Sequence, residues 1–340
     1  MGLADRPLAL TLGDPAGIGP DITLLAWQAR RREAIPPFAL LGDADVVAAR
    51  ARALGLEVPI GRLDDASEAP AVFRDALPVL PVRVGGQVVA GHPSQAAVPA
   101  VRESIEHAVA LTRQGVTRAV VTNPIAKAVL YGAGFEFPGH TEYLAALAST
   151  AAKPLHPVMM LVGPQLKVVP VTIHVPLKDV PRLLTSELIL KTIEITAESL
   201  TRYFGIERLR LAVSGLNPHA GEDGGLGREE IEIIAPAIAA AQAKGLDVTG
   251  PHPADTLFHE AARARYDAAI CMYHDQALVP LKTLAFEDGV NVTLGLPFVR
   301  TSPDHGTAFS LAGTGKTSPR SLIEALRLAA AMCDHAEAKA

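Results

Sequence analysis

Short apolar runs recur along this chain, and a histidine stands at or just beyond the end of three of them. One run leads directly into His174, a second reaches His219 through Asn-Pro, and a third leads directly into His274. Runs of this length, bounded by turn residues, are typical of buried strands in a parallel sheet. Ligands of open α/β sheets bind at the carboxyl ends of such strands, so we expect these histidines to face a ligand site.

Imidazoles gathered at one sheet edge indicate a metal centre. Three neutral imidazoles, with room left for water or substrate, make a donor set for zinc or a similar metal. Each of the three taken alone is more often a hydrogen-bonded polar residue at a strand end, and the residues by themselves leave this alternative open.

The apolar runs alternate with helical patterns along the whole sequence, which predicts an α/β protein with largely parallel strands. The first predicted strands are residues 8–12 and 38–41, and two long predicted helices are residues 186–204 and 228–244. At 340 residues, the chain is long enough for two domains with separate cores.

Composition excludes several classes of protein. The net charge of −5 and the aromatic content of 4% argue against a nucleic-acid-binding surface. No apolar stretch approaches the roughly 18 residues of a membrane span. The N-terminus lacks the pattern of a secretory signal, and the two cysteines, Cys271 and Cys333, cannot form a disulfide framework. We therefore expect a cytoplasmic protein that contacts neither membrane nor nucleic acid.

Two turns carry glycine in front of a predicted helix. Gly17 and Gly19 let the backbone pass close to a ligand at a helix start, although a tight turn without a function fits the spacing equally well. Gly139 precedes His140 and Thr141, which offer an imidazole, a hydroxyl and free N–H groups to one oxyanion. The alternative for Thr141 is a simple helix cap.

Cationic and amide side chains follow the third histidine. Lys282, Asn291 and Arg300 are the kinds of donor that recognise phosphate or carboxylate, although Lys282 or Arg300 alone would more often be a surface charge. A loop rich in small residues then runs from His305 towards Gly313.

At the level of whole blocks, the chain resembles the 4-hydroxythreonine-4-phosphate dehydrogenase (PdxA) family of pyridoxal phosphate biosynthesis. The resemblance is carried by LGDPAGIGP from Leu12, GHTE from Gly139, LNPHAGE from Leu216, PADT from Pro253, MYHDQ from Met272 and NVTLGLPFVRTS from Asn291. More distantly, GIGP from Gly17 and HGTA from His305 resemble the isocitrate and isopropylmalate dehydrogenases. The implied fold is α/β, with two α/β/α domains and a central cleft, isocitrate/isopropylmalate dehydrogenase-like.

We expect the chain to divide accordingly. Residues 1–130 together with 301–340 would form an α/β domain that carries the cofactor loop, and residues 131–300 a domain for metal, substrate and dimerisation. The family shares its active site across a homodimer, so the resemblance implies a second copy of the chain as partner.

The resemblance also implies roles for single residues. The metal ligands, for Zn, Mg or Co, would be His174, His219 and His274. The substrate positions would be His140, Thr141, Lys282, Asn291 and Arg300. The positions for NAD, with NADP left open, would be His305, Gly306, Thr307, Ala308 and Gly313. The candidates for proton transfer, or for orienting the metal ligands, are Lys282, Asp255 and Asp275.

The implied reaction is NAD-dependent oxidation of the C3 hydroxyl of 4-phosphohydroxy-L-threonine, followed by decarboxylation to 3-amino-2-oxopropyl phosphate. A metal would acidify the hydroxyl and then polarise the ketone. The close alternative is a paralogue that oxidises threonate or erythronate 4-phosphate.

Three further classes remain as alternatives. A relative that oxidises aromatic cis-dihydrodiols should lack phosphate-binding residues. It is disfavoured because the block at Gly139 and Arg300 are present. A zinc aldolase or hydrolase is disfavoured by the cofactor-like loop at His305. A non-catalytic metal protein would need a closed site, and only Asp275 stands near enough in the sequence to be a fourth ligand.

Overall fold

A computed structural model describes residues 5–137, 139–149 and 154–339. They divide into two compact units. The first contains the residues up to Pro157 and Leu296–Ala338, and the second is built from Val158–Gly295. The boundaries between these units fall after Pro157 and after Gly295, whereas the sequence predicts domain boundaries after residues 130 and 300.

Strands and helices alternate along the chain, as the apolar pattern predicts. The strands are β1 Leu8–Thr11, β2 Phe38–Gly42, β3 Ile60–Arg62, β4 Leu77–Pro81, β5 Ala119–Val121, β6 Val158–Gly163, β7 Leu166–Thr172, β8 Arg210–Ser214, β9 Asp247–His252, β10 Ala268–Tyr273, β11 Val290–Leu294 and β12 Val299–Pro303. The helices are α1 Gly19–Ala29, α2 Ala44–Ala53, α3 Ala69–Phe73, α4 Val98–Arg113, α5 Lys127–Gly132, α6 His140–Ala148, α7 Val180–Leu183, α8 Ser186–Tyr203, α9 Ala235–Ala243, α10 Ala254–Leu257, α11 Glu260–Arg263, α12 His274–Leu284 and α13 Arg320–Ala338.

In the first unit, the strands lie in the order β3-β4-β2-β1-β5-β12, and every pair is parallel. The register places Leu8 opposite Phe38 and Val299 opposite Ala119. The central strands are apolar at nearly every position and fully buried, because helices cover the sheet. Helix α4 packs on β1 and β2, and α13 packs on β12 and β5.

In the second unit, the order is β11-β6-β7-β10-β8-β9. Strand β6 runs antiparallel to β7 and β11, whereas β7, β10, β8 and β9 are parallel to one another. Strand β10 lies between β7 and β8, so the carboxyl ends of the three strands that precede the histidines are neighbours at one sheet edge.

The long helix predicted over 228–244 is present, but its first half is wound more widely than an α-helix. The chain forms a wider turn over Glu230–Ile234 before α9 begins. Pro236 has no N–H to donate to the preceding turn, and the N–H of Ala235 bonds instead to the carbonyl of Glu230, five residues back. The helix predicted over 186–204 is confirmed as α8. Within the described ranges, no helix combines the length and apolarity needed to cross a bilayer.

Candidate active site

Two of the predicted histidines lie side by side in the second unit. His174 follows β7, and His274 is the first residue of α12, directly after the neighbouring strand β10. Their ring centres are 5.7 Å apart. A cavity of about 210 Å³ adjoins them, lined by Thr172, His174, Val175, Leu177, Val180, Tyr273, His274 and Asp275.

Neighbouring groups orient His274. Its Nδ1 lies 2.8 Å from a carboxylate oxygen of Asp275. When that nitrogen carries the proton, it donates to the carboxylate and leaves Nε2 as a ligand atom. Gln276 ties this strand end to the next one, because its Oε1 accepts from the N–H of Met272 and its Nε2 donates to the carbonyl of Gly215, both at 2.7 Å.

The third histidine sits in an unusual turn after β8. Five successive residues, from His219 to Asp223, have φ between +44° and +82°, and four of them are not glycine. The left-handed region costs a residue with a side chain roughly 1–2 kcal/mol, so the turn is strained. His174 has the same conformation, with φ of +54°. Strain of this kind concentrates at functional sites, where the surrounding structure enforces it.

The two adjacent imidazoles are donors that suit a transition metal. Zinc and cobalt accept imidazole nitrogen, whereas magnesium prefers oxygen donors, so His174 and His274 favour the first two. In residues 5–137, 139–149 and 154–339, no group of three or more His, Cys, Asp or Glu side chains is arranged to hold a metal. The structure therefore brings His174 and His274 together, but His219 does not join them within one chain.

A cationic cluster with a buried arginine at its centre lies in the first unit. Arg300 on β12 is 2% exposed, and its Nη2 donates to Thr122 Oγ1 at 2.6 Å. Burial lowers the pKa of Arg300 to about 10, against the opposing effect of Glu142. Burial, and then the positive charges of Arg300 and Lys127, holds the pKa of His140 well below its ordinary value. His140 is consequently neutral beside two cations, which is an environment suited to an anion.

One ring nitrogen of His140 makes no hydrogen bond to the described residues. Its Nε2 is buried, and no hydrogen-bond partner for it lies among the described residues. His140 begins α6, after Gly139, and Thr141 is the next residue. A buried polar atom without a partner is costly, so this nitrogen is expected to meet a group that the protein itself does not supply.

The predicted cofactor loop is locked to the glycine-rich turn of the same unit. The N–H of Ile18 donates to the carbonyl of Thr307 at 3.0 Å. A Cβ added to Gly17 would lie 3.0 Å from that same carbonyl oxygen, so the close approach requires glycine. Ala308, next in the loop, has φ of +39°.

A buried ion pair holds the far end of this loop. Asp21 and Arg50 are 0% and 5% exposed and form a salt bridge. Arg50 also donates to the carbonyls of Gly17 and Pro15, at 3.0 and 3.1 Å. The second carboxylate oxygen of Asp21 accepts from the N–H of Gly313 at 2.7 Å. The pair therefore connects the glycine-rich turn, helix α2 and the loop.

Comparison with known proteins identifies the family of the chain. A family model described as "Pyridoxal phosphate biosynthetic protein PdxA" matches residues 33–329. This chain belongs to the PdxA family. A 4-hydroxythreonine-4-phosphate dehydrogenase from Bradyrhizobium diazoefficiens is 58% identical over 337 residues, which are 97% of each chain.

Solved structures agree with this assignment. The crystal structure of 4-hydroxythreonine-4-phosphate dehydrogenase from Klebsiella pneumoniae has a TM-score of 0.85 at 38% identity, covering 96% of this chain and 98% of that one. A terephthalate 1,2-cis-dihydrodiol dehydrogenase from Burkholderia xenovorans has a TM-score of 0.63 at 27% identity, covering 96% and 98%. The resemblance and the α/β class are confirmed, and this PdxA-family protein is a dehydrogenase.

The remaining predicted residues of this PdxA-family chain lie in its second unit. Lys282 on α12 is half-buried, with its Nζ 5.3 Å from the ring centre of Phe286. Asn291 on β11 has a buried Oδ1 that finds no hydrogen-bond partner among the described residues. Asp255, in α10, is exposed. The predicted site residues are thus divided between the units, with His140, Thr141 and Arg300 in the first.

Two residues beside the PdxA-family motifs were not predicted as site residues from the sequence. Lys127, at the start of α5, passes its side chain over Gly139, where an added Cβ would lie 3.3 Å from Nζ. A lysine just after Asn123-Pro124 at a strand end was the available signal, but a lone lysine is usually a surface charge. Glu230, buried behind the His219 turn, gave no signal because its helix was predicted as continuous.

Proposed function

We propose that this protein is a 4-hydroxythreonine-4-phosphate dehydrogenase of pyridoxal phosphate biosynthesis, acting in the cytoplasm. It would oxidise 4-phosphohydroxy-L-threonine at C3 with NAD and release carbon dioxide and 3-amino-2-oxopropyl phosphate. The observation that carries the proposal is the 58% identity, over 97% of both chains, with a protein of that name.

The first unit would bind the phosphate. Arg300 is a buried guanidinium, and Lys127 supplies a second positive charge. The neutral ring of His140 offers its buried Nε2, and the hydroxyl of Thr141 adds a donor at the start of α6. Two cations and neutral donors match a phosphate monoester in hydrogen-bonding capacity, and their positive charge exceeds the negative charge of Glu142 near Arg300.

The second unit would bind the metal, in a site completed across a homodimer by histidines of both copies. His174 and His274 supply two adjacent imidazoles, and His219 is the remaining ligand. When bound, zinc or cobalt supplies Lewis acidity, which favours loss of the hydroxyl proton and accumulation of negative charge on the substrate. The large apolar side chains exposed on this unit support a second copy: Val175, Leu177, Leu183, Leu226, Ile231, Val279, Leu284 and Phe286.

Proton transfer would fall to Lys282 or Asp255. Asp275 is engaged by the ring of His274, so its role is to orient that ligand. Lys282 is half-buried on α12, with its amine 5.3 Å from the ring centre of Phe286, and is one candidate for exchanging a proton with the substrate. The loop from His305 to Gly313 would hold NAD, which would supply the hydride acceptor.

One assay tests the proposal. Purified protein is given 4-phosphohydroxy-L-threonine and NAD, with and without a metal chelator, while NADH and carbon dioxide are measured. We expect both products in equal amounts and loss of both with chelator. NADH formed only from threonate or erythronate 4-phosphate would contradict the assignment, and so would turnover that resists complete metal removal. Parallel reactions with NADP determine which nicotinamide cofactor is used.

A further inference from the structure

The carboxylate of Glu230 is buried against the segment that leads into the His219 turn. Glu230 is 3% exposed and opens the wide turn before α9. Its Oε1 accepts hydrogen bonds from the backbone N–H groups of Leu216 and Asn217, both at 2.7 Å. Its Oε2 accepts from the side-chain amide of Asn217 at 2.9 Å. All three bonds thus reach the residues that immediately precede the turn.

The backbone closes around this carboxylate on both sides. A Cβ added to Gly221, inside the turn, would lie 2.6 Å from Oε2 of Glu230, which is closer than a Cβ atom approaches another non-bonded atom in real proteins. A Cβ added to Gly215, before the turn, would lie 3.1 Å from Oε1. Glycine at these two positions is what lets the loop wrap the carboxylate, so the loop and Glu230 are fitted to each other.

The His219 turn needs such an external support. Five successive residues occupy the left-handed region and four of them carry side chains, a conformation that the chain does not adopt by local preference. Hydrogen bonds from outside must hold it, and Glu230 fixes the entry of the turn at Leu216 and Asn217. Glu229 adds one further bond, from its Oε2 to the side-chain amide of Asn217 at 2.7 Å.

We propose that Glu230 is a positioning residue for His219. By accepting three hydrogen bonds from the segment before the turn, it holds the imidazole where a metal ligand is required. The inference rests on the proposed function, since it takes His219 as a ligand of the metal. Losing these bonds would release the turn towards ordinary backbone conformations and move the ring away from the metal.

The test uses Glu230→Gln in the full-length enzyme, stripped of metal. Glutamine keeps the size of the side chain but replaces one acceptor by an N–H group that opposes the amide of Asn217. Hydrogen exchange in peptides covering residues 215–222 reports on the loop, and titration with Co²⁺, followed by its visible absorption, reports on the ligand set. The matched control is Glu232→Gln, in the same wide turn, whose carboxylate pairs with Arg228 at the surface.

We expect Glu230→Gln to lose exchange protection in the loop and to bind Co²⁺ about 10–100-fold more weakly, while Glu232→Gln resembles the wild type. A purely structural role would lower the melting temperature without changing Co²⁺ affinity or spectrum. Unchanged loop protection would overturn the proposal, as would unchanged Co²⁺ affinity in a variant whose loop has lost protection.

His219→Ala separates the ligand role of His219 from the positioning role of Glu230. We expect it to weaken Co²⁺ binding while leaving the bonds to Glu230 protected, which supports both roles. If it leaves Co²⁺ affinity unchanged, the ligand role in the proposed function is wrong and the positioning role is overturned with it. Loop exchange in Glu230→Gln would then still measure whether this carboxylate holds the turn.

Discussion

His140 illustrates how burial changes a titratable side chain beside cations. Its pKa is held well below the ordinary 6.5 by burial and then by Arg300 and Lys127. The folded protein keeps the ring neutral, whereas the unfolded chain takes up a proton as the pH falls through about 6.5. Proton uptake therefore favours unfolding in acid. The stability contributed by the neutral ring is present above that pH and is lost as the pH falls below it.

We expect His140→Asn to flatten this acid dependence. Between about pH 6.5 and 5.5, the wild type should lose up to roughly 1.4 kcal/mol of unfolding free energy more than the variant, the limit for one proton per molecule. Urea unfolding at several pH values measures the difference. His335→Asn, which removes an exposed histidine of α13, is the control and should retain the wild-type slope. Equal slopes for wild type and His140→Asn would contradict the expectation.

Lys127 belongs to the same cationic cluster as Arg300 and His140. Its substitution tests whether the positive charge of that cluster binds the substrate phosphate. We expect Lys127→Met to raise KM for the phosphorylated substrate about tenfold or more while kcat changes little, because a charge-assisted bond to phosphate stabilises substrate and transition state alike. Steady-state kinetics measure the split. Lys191→Met, on the exposed face of α8, is the matched control. A fall in kcat without a change in KM would show that Lys127 does not bind the phosphate.

At the scale of elements, the buried Asp21–Arg50 pair joins three segments of the first unit. Removing one partner leaves the other charge buried and without compensation, which costs about 3–5 kcal/mol. We expect Asp21→Asn to destabilise the protein by that order and to raise KM for NAD more than KM for substrate, because the N–H of Gly313 loses its carboxylate partner. Denaturant unfolding and steady-state kinetics measure the two effects.

The matched control for this pair is an exposed one. Arg62 and Asp45 form a salt bridge with side chains 60% and 84% exposed. Exposed pairs contribute little to stability, so Asp45→Asn should leave unfolding and both KM values near those of the wild type. An Asp21→Asn variant that behaves like this control would show that the buried pair does not support the loop.

Elements were predictable from sequence where periodicity was strong. Strands β1, β2 and β10 and helix α8 follow from apolar runs and helical spacing. The wide turn at Glu230–Ile234 was not predictable, because apolar spacing continues through it and only Pro236 marks the break. The left-handed turn at His219 was equally hidden, since it depends on a carboxylate that lies beyond it in the chain.

At the scale of the whole molecule, the sequence indicated that three histidines follow strand ends, but not which of those strands are neighbours. His174 and His274 meet because β7 and β10 are neighbours, a pairing that spans about a hundred residues of chain and leaves no local pattern. His140 and Arg300 are likewise joined by the fold of the first unit. The proposed completion of the site by a second copy leaves no local pattern in the sequence either, and it is predicted from the resemblance to the PdxA family.

Substitution of Val279 tests the expected dimer. Its side chain is 63% exposed on α12, and Val279 is not one of the proposed metal ligands. Burying an aspartate in an apolar interface is costly, so we expect Val279→Asp to shift the protein from dimer to monomer in sedimentation velocity runs at micromolar concentration. If the metal site is shared, Co²⁺ affinity falls with the dimer fraction and recovers as protein concentration rises. Val89→Asp, at a side chain 47% exposed in the first unit, should remain dimeric with wild-type affinity. If Val279→Asp is monomeric and still binds Co²⁺ as tightly as the wild type, all the metal ligands lie in one chain. If the wild type itself sediments as a monomer, the metal site is not shared between two copies.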